Sequence, residues 1–76
     1  MNALRAKIEQ AVQDLFPGHE WRTVIFDADH SVGVTIKFGD RGFGRRIRNA
    51  EEIIDKFVEI EADAMGIKPS DLVAAI

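Results

Sequence analysis

The sequence predicts an α+β fold in the order α-β-β-β-α-α, a three-stranded antiparallel meander sheet with its helices packed on one face. Three observations predict it. Apolar residues recur at helical spacing from Leu4 to Leu15 and again from Ile53 to Met65. Between those stretches Val32, Val34, Ile36 and Phe38 alternate with Gly33, Thr35 and Lys37, the period of two of a strand with one wet face. The strand-like segments are joined by a few residues only, which makes successive strands antiparallel neighbours with the second at the centre. Such a sheet alone leaves its apolar side in water, so the helices must cover that side.

The first helix is capped by Asn2 and carries Leu4, Ile8, Ala11, Val12 and Leu15 on one face. Pro17-Gly18 ends it. Trp21 to Phe26 is rich in β-branched and aromatic residues and reads as the first strand. Trp21, Thr23 and Ile25 share one of its faces, and Arg22, Val24 and Phe26 the other. Whichever side is buried, an aromatic ring is left on the open face. Asp27 to Ser31 forms a turn, Val32 to Phe38 the second strand, and Gly39-Asp40-Arg41-Gly42 a tight hairpin connection. Phe43 to Arg48 is the third strand.

Asn49 caps a second helix, with Glu52 at the capping-box position and Glu52–Lys56 as a supporting pair one turn apart. Ile53, Ile54, Phe57, Val58, Ile60, Ala64 and Met65 form its apolar stripe. Gly66 ends it in the left-handed conformation, with Ile67 closing over the last turn. Pro69 opens a short third helix that packs Leu72, Val73 and Ile76 onto the core.

The 76 residues make one domain, 1–76, with no linker, repeat or low-complexity stretch. A chain this short buries only about 60% of its unfolded surface, so its core is thin and self-association is a natural support. There is no cysteine, which excludes disulfides, thiolate nucleophiles and cysteine zinc sites and points to a cytoplasmic location. No apolar stretch is long enough to span a membrane. Met1-Asn2-Ala3-Leu4-Arg5 lacks the apolar core of a signal peptide, so the chain as written is expected to be the mature one.

The net charge is −3, yet one short segment is basic. Lys37, Arg41, Arg45, Arg46 and Arg48 stand there against Asp40 alone, while the chain after it carries seven acids and two lysines. These five cations are the candidate binding residues. Alternation places Arg46 and Arg48 beside Lys37 on the open face. It also points Arg45 inward, where it must reach the sheet edge, lean past the core or pair with an acid of the second helix. Cations beside an exposed ring suit single-stranded nucleic acid, and they suit equally a protein partner or a second subunit.

The order α-β-β-β-α is similar to the double-stranded-RNA-binding fold, with one further helix at the end. Gly42, Gly44, Arg45, Arg46 and Arg48 lie near the segment with which that family contacts phosphate. Where the family opens its last helix with lysines, this chain has Asn49-Ala50-Glu51-Glu52, and acid there repels phosphate. Arg41-Gly42-Phe43-Gly44 matches the opening of the ribonucleoprotein-1 motif, but Arg45 and Arg46 replace its aromatic and aliphatic residues, which rules that motif out.

No spacing among His19, Glu20, Asp27, Asp29 and His30 matches a metal site. Gly66 to Ser70 superficially fits a helix-turn-helix connection, but the helix after it lacks basic residues to read DNA. No nucleophile elbow or phosphate loop is present, and no cofactor is called for. The sequence therefore points to a non-enzymatic protein-interaction module that self-associates through the open sheet face or an edge. The alternative is a nucleic-acid-binding module using the basic segment.

Overall fold

A computed structural model describes the backbone of residues 2–74 and the side chains of residues 2–72. The order is α1 (Ala3–Leu15), β1 (Trp21–Phe26), β2 (Ser31–Phe38), β3 (Arg41–Ile47), a single 3-10 turn (Ala50–Glu52), α2 (Ile53–Met65) and α3 (Pro69–Ala74). The sheet runs β1-β2-β3 with both pairings antiparallel. This is the α+β meander that the hydrophobic pattern predicts.

The core lies between the sheet and the helices. Ile8 and Val12 of α1, Val32, Val34 and Ile36 of β2, Ile47 of β3 and Phe57 and Ile60 of α2 are all buried. Trp21, Ile25, Phe38 and Phe43 pack against them, half-buried. The helix side of β1 is therefore the Trp21–Thr23–Ile25 side. Arg22, Val24 and Phe26 are left on the open face, which settles the ambiguity of that strand.

The helix ends follow local chemistry. Asn2 Oδ1 accepts the Arg5 N–H at 2.9 Å and caps α1. Gly66, at φ 73°, ends α2, with the Gly66 N–H on Asp63 O and the Ile67 N–H on Ala62 O. Those two bonds are the Schellman pattern. Gly39, at φ 69°, takes the first position of the two-residue turn between β2 and β3, where glycine alone is unstrained. The third strand begins at Arg41, two residues earlier than its apolar pattern suggests, because this turn is so tight.

Several side chains depart from expectation. Leu15 lies on the apolar face of α1 by spacing but is 51% exposed. It is the last helical residue, and the Phe16 ring takes the ground beneath it, edge-on to Phe38 and Phe57 at 5.8 and 5.6 Å. Ile54 and Met65 of the α2 stripe are also exposed, at 58% and 57%. The Asn49 side chain makes no capping bond. The Glu52 carboxylate accepts the Arg48 N–H at 3.0 Å, and Lys56 pairs with Glu59 rather than Glu52. Leu72 is half-buried. The placement of Val73 and Ile76 against the core lies outside the described residues.

Candidate functional site

Alternation decides what the open face carries. From β1 come Arg22, Val24 and Phe26, from β2 Gly33, Thr35 and Lys37, and from β3 Gly42, Gly44 and Arg46. Three of these nine are glycines, so the middle of the face is low. Thr35 sits between the two glycines of β3, and a Cβ at Gly44 would lie 3.0 Å from its Oγ1. Two shallow depressions meet at Thr35. One, of about 450 Å³, is lined by Glu20, Trp21, Arg22, Thr35, Lys37 and Gly42. The other, of about 290 Å³, runs from Phe26 over Gly33 and Gly44 to Arg46.

The five candidate cations do not form one cluster. Arg46 lies over the Phe26 ring, its guanidinium carbon 3.7 Å from the centroid, and its Nη1 is 3.8 Å from Asp29 Oδ2. Arg48 follows the end of β3 and reaches the same carboxylate at 4.0 Å. Lys37 stands at the other end of the face, 3.4 Å from Glu20. Arg41, at the hairpin, lies 5.0 Å from the centroid of the Phe43 ring. Arg45 points to the helix side, where it donates to Glu59 at 3.0 Å and to Asp63.

Arg45 thus pairs with the second helix, one of the routes open to an inward arginine, and it ties β3 to α2. The Asp63 bond, reinforced by Glu59, holds its guanidinium more firmly protonated than usual against partial burial. Asp29 is likewise positioned by its neighbours. The Ser31 hydroxyl and N–H donate to its Oδ1 at 2.6 and 3.1 Å. Those bonds, with Arg46 and Arg48 beyond them, hold its carboxyl below the usual aspartate range, so it stays ionised at neutral pH.

One cation of the face was missed by grouping charges along the chain. Arg22, on the edge strand β1, lies across from Thr35 of the central strand. Among the described residues no carboxylate lies within ion-pair distance of it. The period-two pattern of β1 already put Arg22 beside Val24 and Phe26, and that was the signal that could have found it. His19 belongs to the core margin, with Nδ1 2.7 Å from Lys37 O and its ring 4.7 Å from that of Phe38. Among the described residues no three acids or histidines gather where a metal ion could be held. No described helix is long and apolar enough to cross a membrane.

No family model matches the chain, and no curated protein or solved structure does either. The likeness to the double-stranded-RNA-binding fold therefore rests on element order and the glycine–arginine segment of the sequence.

Proposed function

We propose that this domain is a non-enzymatic protein-interaction module whose open sheet face docks an acidic segment of a partner protein that also presents apolar side chains. The observation that carries the reading is Arg22. It is a cation free of carboxylates, among the described residues, on the edge strand of a low, glycine-floored face, next to Val24, which is 52% exposed. A carboxylate arriving there gains a charge-assisted bond without displacing an acid of the chain itself. Thr35 is the one hydroxyl among the residues lining the two depressions, and among the described residues no hydrogen bond joins it to an acid or base. A cytoplasmic location is part of this reading and rests on the absence of cysteine.

The nucleic-acid alternative has the cations in its favour. It is weakened by how they are already engaged. Arg46 covers the Phe26 ring, on which a base would stack, and Asp29 and Glu20 place negative charge at both ends of the face. The test is a pair of NMR titrations at low salt, one with a short peptide of alternating Glu and Leu, the other with an oligothymidylate of equal length. The peptide is expected to shift the amides of Arg22, Val24, Gly33, Thr35 and Gly44, and Arg22→Glu to weaken it about tenfold. Tighter binding of the oligothymidylate, with a steep salt dependence, would favour the alternative. If neither probe shifts this face, both readings fail.

A further inference from the structure

The sheet has two edges, and they are built differently. The Lys37 N–H donates to the Glu20 C=O at 2.8 Å, so these two residues form a hydrogen-bonded pair of the β1–β2 ladder. Such pairs alternate along an antiparallel ladder. With the observed register, Arg22, Val24 and Phe26 then turn their backbone groups toward β2. The N–H and C=O groups of Trp21, Thr23 and Ile25 point out of the sheet. By the same alternation Gly42, Gly44 and Arg46 point out from β3.

The β3 edge is blunted. The Gly44 C=O is taken by Nη1 of Arg45 at 2.8 Å, and the Arg48 N–H just beyond the strand by Glu52. Two glycines and three arginines make the rest a poor template. The β1 edge has none of these devices. Its sequence, Trp-Arg-Thr-Val-Ile-Phe, holds one charge and neither proline nor glycine, and its register with β2 runs without a bulge. An unblunted edge of β-branched and aromatic residues is a site for strand addition.

We propose that β1 pairs antiparallel with β1 of a second copy, about a twofold axis at Thr23, so that two three-stranded sheets become one. Self-complementarity identifies the occupant. The pairing must join outward-facing backbone groups and keep each strand's helix side on the helix side. Centring on Thr23 satisfies both, and it sets Thr23 against the partner's Thr23, Trp21 against the partner's Ile25 and Ile25 against the partner's Trp21. Each of these pairs exchanges two backbone bonds. Aromatic rings opposite β-branched residues are among the cross-strand pairs that stabilise a ladder. On the open side Arg22 faces the partner's Val24, so no like charges meet.

The charges above the axis agree. Arg5 Nε donates to Thr23 Oγ1 at 3.0 Å, Thr23 Oγ1 donates to Glu9 at 3.0 Å, and Arg5 pairs with Glu9 at 3.1 Å. A twofold at Thr23 brings this cation–anion couple close to its own copy, so the charge next to the axis is balanced rather than of one sign.

This pairing goes beyond the open-face reading and does not depend on it. It is tested by sedimentation equilibrium together with amide hydrogen exchange at millimolar concentration. The expected mass is twice the 8.5 kDa of the chain. The amides of Trp21, Thr23 and Ile25 should be as protected as those of Arg22, Val24 and Phe26, while Gly42 and Gly44 on the blunted edge stay fast. A mass of one chain, with protection alternating along β1, overturns the proposal. Val24→Arg changes an exposed side chain and sets the new arginine against the partner's Arg22. It should weaken the dimer about tenfold or more. A dimer unchanged in that variant overturns the proposed register. Peptide binding reads side chains of the open face and exchange reads the outer backbone of β1, so either result can fail without the other.

Discussion

Arg46 rests on Phe26 because Gly33 has no side chain. A Cβ at that position would stand 2.9 Å from Cε2 of the ring, so only glycine lets the ring lie down across β2 and offer its face to the guanidinium. One missing methyl thus turns an exposed aromatic into a capped one, and it explains why the ring is a poor stacking platform. Gly33→Ala should lift the ring and unseat Arg46. Breaking that cation–π pair should cost about 0.5–1 kcal/mol. Alanine in a strand recovers about 0.5–1 kcal/mol of backbone entropy relative to glycine. Net stability should therefore change by under about 1 kcal/mol, while the upfield ring-current shifts of the Arg46 side-chain protons disappear. Retention of those shifts would show that the ring is held by something other than the glycine. Pairings of this kind are beyond periodicity, which assigns a face to a residue but not a neighbour. The same limit explains the basic segment. Lys37, Arg41, Arg45, Arg46 and Arg48 are close along the chain, but alternation sends Arg45 to the helix side, and the length of β2 separates Lys37 from Arg46.

Between β3 and α2 a single carboxylate takes the role that a capping box divides between two residues. Glu52 holds the Arg48 N–H, and Asn49 makes no cap bond with its side chain, so the chain enters α2 through the 3-10 turn Ala50–Glu52. The sequence signature of a box was present, and the Asn49 backbone, at φ −151° and ψ 166°, is extended as a cap residue's is, but its side chain makes no bond to the turn. Glu52→Ala should cost about 1 kcal/mol in urea unfolding, and Asn49→Ala only about a few tenths. A working capping box would instead make Asn49→Ala the costlier change. Other element boundaries that rest on one residue with a local reason were legible, although the start of β3 at Arg41 was not. Asn2 caps α1, Gly39 makes the tight turn and Gly66 ends α2. The exposure of Leu15, Ile54 and Met65 was not legible, since the spacing of an apolar stripe does not say how far the opposing sheet extends beneath it.

At the scale of the molecule, the helices and the open-face cations lie on opposite sides of one sheet, and this polarity limits how copies can associate. Docking the open face of one copy on the acidic α2 of the next is a head-to-tail contact, which makes rings or open chains and never a two-copy closed pair. Two open faces brought together would oppose Arg22, Lys37 and Arg46 to themselves. Edge pairing through β1 avoids both problems and leaves the open face free for a different partner. It also supports a chain whose core is thin for its 76 residues. If folding and pairing are linked, the thermal midpoint must depend on protein concentration by mass action. A tenfold rise adds about 1.4 kcal/mol per dimer, or about 0.7 kcal/mol per chain. For a domain of this size that moves the midpoint by about 3–5 °C. Scanning calorimetry across two decades of concentration should show this rise for the native chain. Thr23→Pro removes an outward donor without taking a backbone bond from the β1–β2 ladder, and it also loses the hydroxyl bonds to Arg5 and Glu9. Its midpoint should therefore be lower, and the sign of lost pairing is that it is independent of concentration. A native midpoint that stays flat over those two decades would mean that each chain unfolds alone, and that the thin core suffices without its copy.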